Sequence, residues 1–225
     1  MKRIGFIGAF DKTDLIIYVA KLLAEMQKKV LVIDRTEQNR ARYVVPCITP
    51  SQSYLTEFEG VDFAIGLITE EEVKKYLAVT TLNYDYIITD IDSKEAYEQT
   101  NSIKNDKNFF VTAFDNYSLK KGLEIIGKIQ DKALMTKILF SREMQQEEDD
   151  YLNFLSFYYA VQWDKEKIYF PYDIGDSTAI IESQRTAKIK FKFLSDAYKD
   201  GLEEVVCSIE PTLSRNDIKR ILRNI

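Results

Sequence analysis

The sequence predicts an α/β protein, a doubly wound, mostly parallel sheet with helices on both faces. Three observations predict it. Short apolar runs of strand length alternate with longer segments whose apolar residues recur every three or four positions. That alternation arises when crossover helices link parallel strands. The chain of 225 residues is long enough for one such domain with a full core, and no linker or internal repeat divides it, so residues 1–225 read as a single domain.

Taken in order, "RIGFIG" (3–8) reads as a buried strand. Leu15, Ile16, Val19, Leu22, Leu23 and Met26 then mark one face of an amphipathic helix. "KVLVID" (29–34) is the next strand, followed by a polar, proline-containing stretch over 35–60 and a short strand in "VDFAIGLI". "TEEEVKKYL" opens a helix, with Thr69 as cap and Glu72 completing a capping box. Strands follow over 84–91, 108–114 and 136–141, with helices near 94–104 and 116–131 between them. The acidic run 145–150 reads as a solvated loop leading into a helix. Next comes the aromatic-rich "YLNFLSFYYAV", where packing on the sheet outweighs a partner site. "KIYFPYD" (167–173) is the last strand.

Composition narrows the function classes. A hydrophobic content of 45% and a charged content of 30% describe an ordinary water-soluble globular chain. The net charge of −5 argues against nucleic-acid binding by the whole surface. Cys47 and Cys207 stand in no CxxC pattern, so neither zinc nor a disulfide framework is indicated. The absence of histidine removes His-based triads and HExxH zinc sites. With no export signal in "MKRIGFIGAF" and no apolar stretch long enough to span a bilayer, the expected location is the cytoplasm.

The chemistry concentrates in "GFIGAFDKTDL" (5–15). A strand, a loop carrying Lys-Thr and a helix form the context in which backbone N–H groups hold phosphate, a lysine meets the outer phosphates and a hydroxyl meets magnesium. On these residues the chain resembles the MinD/ParA group of deviant Walker ATPases, whose loop reads GKGGxGK[ST] and whose fold is P-loop NTPase-like. "FIGAFDKT" keeps Gly8, Lys12 and Thr13, and carries Phe6, Ala9 and Asp11 at glycine positions. The family's signature lysine, which crosses a dimer to the partner's nucleotide, falls on Ile7. "KVLVIDRTEQNR" is similar to VLLIDxDxQxN at Asp34 and Gln38, with Thr36 at the second aspartate. "YDYIITDID" resembles YDYIIIDTPP and places Asp90 on the Walker B aspartate, with Asp92 and Ser93 after it. "FFVTAFDNYSLKKGLEII" and "YFPYDIGDSTAIIESQ" continue the likeness, and Ser141 and Arg142 stand where the family often reads the base with an asparagine.

The resemblance implies a nucleotide site, vestigial or weak, over Gly8, Ala9, Phe10, Asp11, Lys12, Thr13, Asp34 and Asp90. Thr13 and Asp90 are its magnesium candidates, and ATP and Mg its cofactors. From the residues alone, Asp34 and Asp90 also suit the capping of a turn or helix at the end of a buried strand. Asp11 sets a carboxylate beside several phosphate charges; two like unit charges about 4 Å apart repel by about 4 kcal/mol near a protein surface. Three functions follow from the resemblance. The first is a partner-binding adaptor or positioning factor with little or no ATP hydrolysis, serving a positioning, secretion, pilus or partition system, with any homodimer forming without ATP. The second is an active MinD/ParA-type ATPase with an atypical loop. The third is a DNA-associated partition or transfer accessory.

The last segment, residues 212–225, suggests a basic amphipathic helix. Ile218, Ile221, Leu222 and Ile225 share one face, and Lys219, Arg220 and Arg223 are basic, with Ser214 as cap. Such a helix packs on its own domain, or lies on an anionic membrane at the inner face, in a partner's groove or on a phosphate backbone.

Overall fold

The computed structural model describes residues 1–47, 51–100, 105–127, 133–141 and 146–225. Among the described residues, eight strands form one sheet: β1 (Lys2–Ile7), β2 (Val30–Arg35), β3 (Tyr54–Phe58), β4 (Val61–Ile65), β5 (Tyr86–Ile91), β6 (Lys107–Ala113), β7 (Ala133–Ser141) and β8 (Val161–Pro171). Their spatial order is β3-β4-β2-β5-β1-β6-β7-β8. Each adjacent pair is parallel except β3 with β4. The doubly wound architecture predicted from the sequence is the one observed.

Helix α1 (Thr13–Glu25) lies buried along one face of the sheet. It packs with α8 (Asp196–Ile209) and α9 (Arg215–Asn224) on a continuous core that includes Phe6, Val32, Phe63 and Phe170. The opposite face is divided. Under α4 (Lys94–Thr100), α5 (Asn116–Ile126) and α6 (Gln146–Leu155) sits a cluster built on Ile91, Phe110 and Leu139. Under α3 (Glu70–Leu77) sits a second cluster built on Ile33, Ile87 and Val73. The remaining helices are the short α2 (Ala41–Val44) and α7 (Ile174–Thr186). The capping box at Thr69 forms as its sequence indicates, with Glu72 closing it.

Several elements differ from the sequence reading. The 35–60 stretch contains β3, which pairs with β4 across a tight turn in which Glu59 (φ 55°) and Gly60 (φ 81°) both take left-handed backbone. Helices α7 and α8 were not assigned from sequence; Asp173 caps the first by accepting from Gly175 and Asp176 amides, and Ser195 caps the second. The acidic run predicted as a loop is largely α6. Its Asp149 is buried in ion pairs with Lys137 (2.5 Å) and Lys167 (2.8 Å), and the two ammonium groups hold its carboxyl below the usual range although burial acts the other way. The helices predicted over 94–104 and 116–131 are described as far as Thr100 and Ile126, and Arg142 lies outside the described residues.

Helix α9 docks on the domain itself. Ile218 and Leu222 are buried in the main core, and Ile221 and Ile225 pack against it. Arg215 and Lys219 pair with the buried Glu203 of α8 (3.3 and 3.6 Å), and Arg220 pairs with Asp217. The apolar stripe that a membrane or partner groove needs is thus turned inward; Arg223 remains on the exposed side. Among the described residues, no helix is long and apolar enough to cross a membrane.

Candidate functional site

The loop between β1 and α1 sits at the carboxyl ends of the central strands. There the connection from β1 runs to one face while those from β5 and β6 run to the other, and open α/β sheets place ligands at such a point. Gly8 makes the turn possible. Its φ of +148° and its approach to β6, where an added Cβ would stand 2.1 Å from the Val111 carbonyl oxygen, admit only glycine. Ile7, at the position that resembles the signature lysine, is fully buried as the last residue of β1. Ala9 is buried against the α5 side of the core. Phe10 packs on Phe140 (ring centroids 4.7 Å apart) and meets Tyr172 edge-on at 6.0 Å, which fastens the loop to the ends of β7 and β8.

Lys12 points into the protein, only 1% exposed. Its ammonium donates to the Gly8 carbonyl oxygen at 2.8 Å and lies 2.8 Å from Asp90 Oδ1. The second contact is off-axis for a hydrogen bond, which leaves Oδ1 held by charge rather than by a directed donor. Burial raises the Asp90 carboxyl to about 6, with Lys12 pulling it down and Asp34 and Asp92 pushing it up. Asp34 stands beside Asp90 in the β2–β5 register. Its Oδ1 accepts from the Thr36 amide (2.9 Å) and hydroxyl (2.7 Å), and its Oδ2 from the Ala41 amide (2.8 Å). It therefore caps the turn into α2, and burial raises its carboxyl against those hydrogen bonds.

Asp11 is the exposed tip of the loop. Its Oδ1 accepts from the Thr13 amide at 3.1 Å, so a carboxylate of the chain lies at the start of α1, where a helix offers amides and partial positive charge to an anion. Arg40 stands 3.6 Å from Asp11 and 3.8 Å from Asp92, joining the loop, the segment after β2 and the end of β5. Sequence reasoning passed over Arg40, which is one of three arginines, with Arg35 and Arg42, in the nine residues from Asp34 to Arg42, and nothing local sets it apart from the other two.

An ATPase loop of this kind takes a nucleotide and magnesium, and the residues fit that pair only in part. The Thr13 hydroxyl is buried without a hydrogen-bond partner, as a magnesium-facing oxygen would be, and Asp90 lies at the neighbouring strand end. The phosphate cradle does not fit. Lys12 is committed inward, Asp11 holds the Thr13 amide, and Ala9 and Asp11 replace two glycines. Among the described residues, no cluster of three or more acidic, cysteine or histidine side chains is placed to hold a metal ion.

No family profile and no curated protein matches the chain. Solved structures do. An ATP complex of an aspartate-to-alanine variant of McdA from Cyanothece superposes with a TM-score of 0.61 at 14% identity, covering 95% of this chain and 98% of the other. A ParA family ATPase from Chlorobium tepidum gives 0.55 at 14%, covering 99% and 96%. MinD in the MinC:MinD cell division complex of Aquifex aeolicus gives 0.52 at 15%, covering 84% and 86%. The chain has the MinD/ParA fold. Within that fold the sequence-predicted residues fall into three places. Gly8, Ala9, Phe10, Asp11, Lys12 and Thr13 form the loop; Asp34 and Asp90 lie side by side beneath it; and Ile218, Lys219, Arg220, Ile221, Leu222, Arg223 and Ile225 lie apart on α9.

Proposed function

We propose that this chain is a MinD/ParA-like protein that works by binding a protein partner, as a positioning factor or adaptor, without turning over ATP. One observation carries the reading: the loop completes its own electrostatics. Lys12 neutralises Asp90 inside the protein, and Asp11 supplies an anion to the start of α1. A polyphosphate entering the loop has to break the first arrangement and displace the second. The loss of the cross-dimer lysine at Ile7 and the second aspartate at Thr36 points the same way. MinD of Aquifex aeolicus is known in complex with MinC, which supports a protein partner for a chain of this fold. Any homodimer then forms without nucleotide. Sedimentation velocity with and without magnesium-ATP tests this: the expected distributions coincide, and a monomer that dimerises only with ATP overturns the reading.

A further inference from the structure

The sheet face opposite α1 holds a cavity that the loop chemistry does not use. It lies between the two separate apolar clusters of that face and encloses about 510 Å³, within the range of small-molecule sites. Ile33 and Thr89 form its floor, the first turn of α3 and Gln99 of α4 its walls, and Asn105 its end. Arg3 closes one side, held by Glu70 through Nε at 2.6 Å and Nη2 at 3.1 Å.

Arg35 is the unusual lining residue. It is only 5% exposed. One nitrogen donates to Gln99 Oε1 at 3.3 Å, and Nε has no hydrogen-bond partner. No carboxylate among the described residues pairs with it; Glu72 acts on it only at longer range. A buried guanidinium with open donors is costly unless something satisfies it, and burial lowers its pKa accordingly. Alternation along β2 puts Arg35 with Leu31 and Ile33 on this face, whereas Val30 and Val32 point to the α1 side. The cavity is therefore distinct from the loop crevice.

We propose that this cavity binds a small organic carboxylate, with Arg35 as its anchor. The planar fork of a guanidinium matches a carboxylate through two parallel hydrogen bonds. The charge inventory favours a monoanion over phosphate, since Arg3 is committed to Glu70, Glu71 stands at the rim, and one guanidinium remains. Thr89 and Asn105 offer polar contacts to a substituent, and Ile33 and Ile68 an apolar one.

The test titrates the full chain with acetate, lactate and benzoate at constant ionic strength. It follows the Arg35 Nε–H resonance by NMR and thermal stability by calorimetry, with chloride and phosphate as comparisons. The expected result is a saturable shift and a rise in Tm with at least one carboxylate. Arg35→Met should weaken that binding by about tenfold or more while leaving the unliganded Tm equal or higher, because it removes an uncompensated buried cation. No response to any carboxylate, a response to phosphate alone, or a carboxylate response retained in Arg35→Met overturns the proposal. A large loss of unliganded Tm in Arg35→Met also overturns it, since it assigns the arginine to holding α4.

Discussion

Lys12 shows how a residue that resembles a nucleotide-loop lysine serves the fold. In the structure it is a buried counter-ion for Asp90. Removing one member of a buried pair leaves the other charge uncompensated and costs about 3–5 kcal/mol, whereas replacing both with apolar groups is often close to neutral. Lys12→Met is therefore expected to lower stability by about that amount, and Lys12→Met with Asp90→Leu to recover most of it; chemical denaturation of the two variants checks this. A lysine needed only for phosphate would leave both the single variant and the double variant near wild type. The sequence marked Lys12, Thr13, Asp34 and Asp90, because charged residues at the ends of apolar runs stand out. It did not reveal which way Lys12 points, since that depends on Asp90 arriving from a strand far along the chain. Arg35 escaped notice for the same reason: its isolation is a property of the opposite sheet face.

At the scale of elements, Glu210 ties the C-terminal end of α8 to β1 and β5. Lys2 approaches it at 2.7 Å, Tyr86 donates at 3.0 Å, and Thr212 donates at 2.7 Å. The hydrogen bond from Lys2, then those from Thr212 and Tyr86, lower its carboxyl from 4.5 to about 2. A depressed folded-state value means stabilisation that is complete above the unfolded value and lost as pH falls from about 4.5 towards 2. Glu210→Gln is expected to be less stable at neutral pH and to lose less on acidification; urea midpoints between pH 6 and pH 3 give the slope, as about two points suffice to fix its sign. Elements with clear periodicity were legible in the sequence, β1, α1, β2 and the capped α3 among them. Strand β3 was not, because its alternation Tyr54, Thr56, Phe58 sits in a polar stretch and depends on pairing with β4. The acidic start of α6 was misread because Asp149 is satisfied by Lys137 of β7 and Lys167 of β8.

For the whole molecule, α9 completes the core on the α1 side. Deleting residues 214–225 removes the buried Ile218 and Leu222, and burying one such side chain is worth roughly 1.5–3 kcal/mol. The shortened chain is expected to unfold at a markedly lower temperature, and the intact chain to leave phosphatidylglycerol vesicles unbound at low salt in a flotation assay. Vesicle binding that Ile221→Glu abolishes would restore the membrane reading. The order of the motifs made the doubly wound fold legible, because strand–helix alternation is a local pattern. The state of the site was less so, since it arises from contacts between the ends of β1, β2 and β5 that only the assembled sheet creates.

The central claim is that the loop no longer supports ATP turnover. The measurement that bears on it most directly is magnesium-dependent phosphate release by the purified full chain, alongside Thr13→Ala, whose lost hydroxyl makes no hydrogen bond in the fold. The expected result is release indistinguishable from a protein-free blank for both proteins. Release that scales with protein concentration, requires magnesium and disappears in Thr13→Ala would contradict the claim.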